Sequence, residues 1–184
     1  MKLFKLHNDP GSLDHYDDQD LIPSVAWQKY SHDLKALRKR ENLWARDAKT
    51  AFYYALEILK GRFELGEPVI AKNAEWSCAY AKDVLKGPFP LGEPAIAKDV
   101  DRSYDYARNI INGPFPLGEP TIAKDIDYAY WYAKNVLNGP FPLGEPTIAT
   151  DGSCSYSYAK DVLDGPFPLG EPAKTKNRSL SLLY

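Results

Sequence analysis

The chain is expected to be all-α: an α-solenoid of five 26-residue helix-pair repeats, with an N-terminal helical cap and a C-terminal half repeat. Three observations predict this. First, Gly61, Gly87, Gly113, Gly139 and Gly165 fall 26 residues apart, and so do Gly66, Gly92, Gly118, Gly144 and Gly170. Self-similarity at such a period is the signature of a repeat architecture. Second, the pairs Tyr54-Ala55, Tyr80-Ala81, Tyr106-Ala107, Tyr132-Ala133 and Tyr158-Ala159 keep the same step. Third, Gly-Pro-Phe-Pro-Leu-Gly-Glu-Pro occurs unchanged from 87, 113, 139 and 165, where it punctuates helical patterns.

The segments follow in order. Residues 1–40 lie outside the repeat and form an N-terminal extension and capping helix. Within them, 1–20 read as irregular. Ser24 to Arg40 reads as a helix, with Trp27, Tyr30, Leu34 and Leu37 on one face. Lys35, Arg38, Lys39 and Arg40 suit its C-terminus, where cations meet the macrodipole. Residues 41–170 hold the five units: 41–66, 67–92, 93–118, 119–144 and 145–170. Residues 171–184 repeat half a unit, and Tyr184 falls on the tyrosine column. The end units depart most, with Trp44 and Lys174 where Ile70, Ile96, Ile122 and Ile148 stand. Capping units, whose outer face meets water, show this irregularity.

Each unit reads as two helices. In 93–118 a short helix starts at Glu93-Pro94, with Pro suited to a first helical position, and ends near Lys98. Asp99 then N-caps a longer helix, as do Asp47, Asn73, Asp125 and Asp151. Ser103, Tyr106, Ala107, Ile110 and Ile111 recur at i, i+3, i+4, i+7 and i+8, one apolar face. Gly113 is expected at C′, and Pro114 stops the helix. Phe115 and Leu117 lie in an extended connector, too proline-rich for a strand. One such helix cannot bury its face alone, whereas stacked copies can. The structural ladder is therefore Tyr54, Tyr80, Tyr106, Tyr132 and Tyr158 with Phe63, Phe89, Phe115, Phe141 and Phe167. A buried phenol needs a hydrogen-bond partner, for which a backbone carbonyl or a capping Asp of the neighbouring unit is expected.

Much chemistry is excluded. Gly87 to Gly92 matches half a P-loop, but Glu93-Pro94 follows and two prolines remove phosphate-binding N–H groups. His7, His15 and His32 are all N-terminal, and no H-E-x-x-H, C-x-x-C or G-x-S-x-G occurs. The cluster Asp14, Asp17, Asp18 and Asp20 beside His15 lacks the glycine and terminal Glu of a calcium loop. Cys78 and Cys154 lie three units apart, roughly 30 Å by helix spacing, too far for a disulfide. Free thiols agree with a reducing cytosol. Asn177-Arg178-Ser179 matches a glycosylation sequon without a recognisable secretory signal. The column Glu67, Glu93, Glu119, Glu145 and Glu171 offers no differentiated acid and base, so a structural role is expected. It could bond helix N–H groups or pair with Lys72, Lys98 and Lys124. No run approaches 18 apolar residues, so no membrane span is expected. No catalytic residue, cofactor or metal is expected.

The unit Gly-Pro-Phe-Pro-Leu-Gly-Glu-Pro-x-Ile-Ala-Lys-Asp, followed by Tyr-Ala and Val-Leu, resembles tandem helical repeats of bacteriophage and related viral proteins whose function is unassigned. The resemblance covers 41–184. It implies a small accessory protein acting in the cytosol of a host bacterium, and it brings no catalytic residues with it. Function is then sought in positions that differ between units. One column reads Thr50, Trp76, Arg102, Tyr128 and Cys154; another reads Tyr53, Ala79, Asp105, Trp131 and Ser157. Both are expected on the outward face of the long helix. Tyr53, Trp76, Arg102, Tyr128 and Trp131 are thus the partner-binding candidates, being typical interface anchors. The expected function is a non-enzymatic scaffold that binds, and inhibits or redirects, a host protein. A nucleic-acid-binding solenoid is the alternative, disfavoured because residues 41–170 hold 13 basic and 18 acidic side chains. An enzyme centred on the N-terminal Asp/His region is the third reading.

Overall fold

The computed structural model describes residues 32–176 together with Gln28. The acidic cluster, His15, Trp27, Tyr30, the sequon and Tyr184 lie outside the described residues. All regular structure among the described residues is helical. Helix α1 spans Leu34–Trp44. It runs unbroken through the expected boundary at residue 40 and supplies the short helix of unit one. The remaining short helices are α3 (Glu67–Ile70), α5 (Glu93–Ile96), α7 (Glu119–Ile122), α9 (Glu145–Ile148) and α11 (Glu171–Lys176). The long helices start as α-helix: α2 at Ala48–Tyr53, α4 at Ala74–Ala79, α6 at Val100–Tyr106, α8 at Ile126–Tyr132 and α10 at Gly152–Tyr158. Neighbouring long helices pack side by side, and each short helix packs on the long helices of adjoining units. This is the all-α solenoid.

The long-helix starts form as expected. Asp47, Asn73, Asp99, Asp125 and Asp151 are extended and each accepts a first-turn backbone N–H, for example Arg102 N–H on Asp99 Oδ1 at 3.0 Å. Their ends differ from expectation. From the Tyr-Ala pair onward each helix widens into a π-turn, as over Ala107–Ile111, and Asn112 N–H reaches Ala107 O. Gly113 N–H reaches the same carbonyl at 3.1 Å. The left-handed residue is Asn112, with φ 55°, and not Gly113; Lys60, Lys86, Asn138 and Asp164 hold the same conformation in their units. The reversal falls one position earlier than expected, with the N–H groups of both Asn112 and Gly113 reaching back to Ala107 O. The π-turn also turns the expected apolar face. Ser103, Tyr106 and Ala107 are fully buried, but Ile110 and Ile111 only half so.

The core is a set of parallel columns. Ile70, Ile96, Ile122 and Ile148 are wholly buried, with Trp44 taking their place in unit one. The five ladder tyrosines and five ladder phenylalanines are buried too, and each Tyr meets the Phe of its own unit at 5.0–5.1 Å between ring centroids. Such tilted and edge-on pairs suit the aromatic quadrupole. Gly92 is required by close approach. A Cβ there would stand 2.5 Å from Phe89 Cδ1 and 2.6 Å from Ser77 Cβ. The column facing that glycine is accordingly small: Ala51, Ser77, Ser103, Ala129 and Ser155.

Candidate functional site: the outer face of the long helices

The ladder fixes the frame. Tyr106 OH donates to Glu93 Oε1 at 2.9 Å and accepts Phe89 N–H at 2.7 Å. The arrangement repeats at Tyr80 with Glu67 and Phe63, at Tyr132 with Glu119 and Phe115, and at Tyr158 with Glu145 and Phe141. Tyr54 donates to Glu41 at 2.7 Å. The expected carbonyl or capping-Asp partner is therefore wrong. A buried phenol both gives and takes a hydrogen bond, so it spans a carboxylate of its own unit and a connector N–H of the unit before. Glu67, Glu93, Glu119 and Glu145 are occupied in this way, and among the described residues they do not pair with Lys72, Lys98 and Lys124. Glu67 is also gripped by Arg62, at 2.7 and 2.9 Å, which stands where later units have Pro. Burial raises the tyrosine pKa values: Tyr80 and Tyr158 reach about 12, and Tyr54, Tyr106 and Tyr132 are raised as well.

The candidate partner residues divide in two. Tyr53 and Trp131 are exposed, at 36% and 44%. Trp76, Arg102 and Tyr128, expected outside, are half-buried. The reason is lateral packing between units. The Trp76 ring lies 5.4 Å from Phe52 and 6.0 Å from Tyr53. Tyr128 lies 5.5 Å from Tyr104 and donates to Asp101, the contact that chiefly raises its pKa to about 12. The five residues do not converge. Tyr53 and Trp76 form one aromatic patch over units one and two, and Trp131 stands apart in unit four.

A column the sequence reading passed over joins these positions: Phe52, Cys78, Tyr104, Tyr130 and Tyr156. Tyr130 OH donates to Asp161 Oδ2 at 2.7 Å, and Lys134 Nζ donates to both, at 3.0 and 2.7 Å. Lys134 also lies 5.7 Å from the centre of the Trp131 ring. Its hydrogen bond holds the Asp161 carboxyl below the usual range. One unit earlier the equivalent pair is bonded in the opposite sense, Asn135 Nδ2 donating to Tyr104 OH at 3.0 Å. The signal was available: the column is apolar or aromatic in every unit. It was hidden because the column's tyrosines also suit a solvated face.

Cys78 and Cys154 are free, and burial pushes both thiols up to about 11, away from the reactive thiolate. Among the described residues no three His, Cys, Asp or Glu side chains gather as a metal site, and no helix is long and apolar enough to cross a membrane. An open groove of about 710 Å³ lies at the C-terminal end of the array, lined by Tyr156, Ala159, Lys160, Asp164, Gly165, Pro166 and Glu171. No family model, curated protein or solved structure matches the chain.

Proposed function

We propose that the protein is a non-enzymatic protein-binding scaffold whose partner docks on the outer face of the long helices. Trp131 carries this reading. It is 44% exposed in a column that elsewhere holds Tyr53, Ala79, Asp105 and Ser157, so the solenoid does not require an indole there. Exposed Trp and Tyr are frequent binding anchors. The Lys134–Asp161 pair holds the rim of Trp131 in place, which lowers the ordering cost of docking. On this reading the partner is a protein of a bacterial host cytoplasm, a defence protein among the candidates, which the bound rod inhibits or redirects; the resemblance of the repeat unit to phage repeats is what supports that choice of class.

Capture from bacterial lysate tests this, with the intact protein run beside Trp131→Ala/Tyr53→Ala. A discrete partner should be retained by the parent and released by the variant, whose affinity falls roughly 30-fold or more while its helical spectrum is unchanged. Equal retention by both, or by neither, would move the function away from this face. Submicromolar, salt-sensitive binding to DNA or RNA in a filter assay would favour the nucleic-acid alternative.

A further inference from the structure

Most constant positions of the unit have a structural task. The leucine two residues after each ladder Phe does not: Leu65, Leu91, Leu117, Leu143 and Leu169 are 49–53% exposed. Unit one has Arg62 and Glu64 where later units have Pro, yet it keeps Leu65. From Phe89 to Asp99 the backbone turns continuously: Gly92 N–H bonds Phe89 O, Ile96 N–H bonds Gly92 O, and Asp99 N–H bonds Ile96 O. In such a path residues i, i+3 and i+7 share one side. Leu91, Pro94 and Lys98 therefore stand together, and all three are exposed. The triplet recurs, again exposed, as Leu65, Pro68, Lys72 and as Leu117, Pro120, Lys124. Seven residues of helical path advance about 10 Å. The short-helix side of the rod thus carries a leucine row and a lysine row about that far apart, with exposed prolines between them. Lys72, Lys98 and Lys124 form no ion pair among the described residues. The carboxylates nearest in sequence are engaged elsewhere: Glu93 and Glu119 with tyrosines, Asp99 and Asp125 as caps, Asp101 with Tyr128. Glu75 and Asp127, in the first turn of the long helices, pair with none of these lysines.

We propose that this side docks an acidic amphipathic α-helix of a partner protein, laid along the rod with its apolar stripe on the leucine row and its carboxylates on the lysine row. Charge sets the sign of the partner, because the exposed lysines of three successive units call for carboxylates at the same spacing. Width selects a helix. With its side chains an α-helix is about 10–12 Å across, so it fills the space between the two rows and touches both. An extended strand, which spaces its neighbours about 4.8 Å away, reaches only one row. Pitch fits as well. Successive units stand roughly 8–10 Å apart, the spacing of packed helices, and seven residues of α-helix rise about 10.5 Å. A leucine or glutamate that recurs every heptad therefore meets the same row in each unit. Three heptads, about 30 Å long, cover the three units that carry the lysines. This inference goes beyond the partner-binding reading above and is independent of it: Tyr53 and Trp131 belong to the long helices, and these rows to the connectors and short helices.

Fluorescence anisotropy with the full chain and a synthetic helix tests it. The probe is a labelled, alanine-based peptide of three heptads, each with one leucine and, on the adjoining flank, one glutamate. The parent should bind it saturably and should bind the counterpart with lysine for glutamate at least tenfold more weakly. Lys72→Glu/Lys98→Glu/Lys124→Glu should reverse that preference, which a general loss of structure cannot do. Leu91→Ser/Leu117→Ser/Leu143→Ser, on exposed positions, should keep the helical spectrum and weaken the glutamate peptide about tenfold. Trp131→Ala/Tyr53→Ala should bind it as the parent does, so loss of the outer face and loss of this side read separately. Absence of saturable binding, equal binding of both peptides, or a preference that the charge reversal leaves unchanged would each overturn the proposal. Cosedimentation of the parent with phosphatidylserine vesicles, lost in the serine variant and unaccompanied by peptide binding, would assign the two rows to a bilayer surface instead.

Discussion

At the scale of the residue, the tyrosine hydroxyl does two jobs that the sequence suggests only in outline. It closes its own unit on the Glu of the short helix, and it holds the connector of the unit before. Tyr106→Phe keeps the ring against Phe115 but leaves Phe89 N–H and the Glu93 carboxylate without that partner. Orphaning buried polar groups costs about 1–3 kcal/mol, so the melting temperature should fall by several degrees with the helical spectrum intact. The same hydroxyls set an alkaline limit. In the unfolded chain tyrosine ionises near pH 10, whereas Tyr80 and Tyr158 in the fold hold their protons to about 12. Below pH 10 both states are protonated and stability is flat. Between 10 and 12 the unfolded state sheds protons the folded state keeps, so stability falls as pH rises. The part of the phenolate absorbance that belongs to the ladder should therefore appear only as the helical signal is lost, near pH 12. Ionisation of all 13 tyrosines near pH 10 with the fold intact would contradict the buried ladder.

At the scale of the element, each long helix ends in a π-turn and a left-handed residue that is never glycine. The αL conformation costs an ordinary L-residue about 1–2 kcal/mol, which glycine avoids. Lys86, with φ 56° and an exposed side chain, carries this cost in unit two. Lys86→Gly should raise the melting temperature, by an amount corresponding to about 1 kcal/mol after glycine's extra unfolded-state entropy. Asn112→Gly should gain less, because Asn tolerates this region well. Calorimetry of the two variants decides it, and equal or opposite shifts would show that the π-turn imposes other constraints. This is also where the sequence is least legible. The caps at Asp99 and its equivalents and the Tyr–Phe ladder follow from local chemistry that reads directly. A helix that widens after Ala107 carries no pattern of its own, because Ile110 and Ile111 continue the 3.6-residue spacing on paper. The habit of Gly at C′ then points to Gly113, one residue too far. The burial of Trp76 and Tyr128 escaped for a related reason. A single helix shows which side is outward but not how far a neighbour's Phe52 or Tyr104 reaches across.

At the scale of the whole molecule, the contacts between units repeat with the sequence, so the fold is modular in a way that can be tested. Deleting 93–118 joins Gly92 to Glu119-Pro120, the junction every later unit already has. Tyr132 would then find Phe89 N–H where it had Phe115 N–H, and Ile122 would follow Ile96's place in the column. Some outer contacts would not be replaced: Tyr128 would lose Asp101, though Glu75 stands in that column, and Asn135 would lose Tyr104 to Cys78. In a solenoid, stability is approximately a sum of unit and nearest-neighbour terms. Losing one unit and one interface should thus lower the melting temperature by about 5–10 °C, given roughly 2–4 °C per kcal/mol at this size. The transition should stay single and the helix content per residue unchanged. Deleting 93–105 alone removes half a period. It would join Gly92 to Tyr106, with no short helix, no Asp99 cap and no Glu for the tyrosine. That chain should fail to show a cooperative transition. If both deletions melt alike, the 26-residue frame is not the folding unit. If the whole-unit deletion alone keeps its cooperativity, the array can be shortened at will. Trp131 can then be moved one unit toward Tyr53 without altering either residue, which separates a partner that reads both anchors from one that reads Trp131 alone.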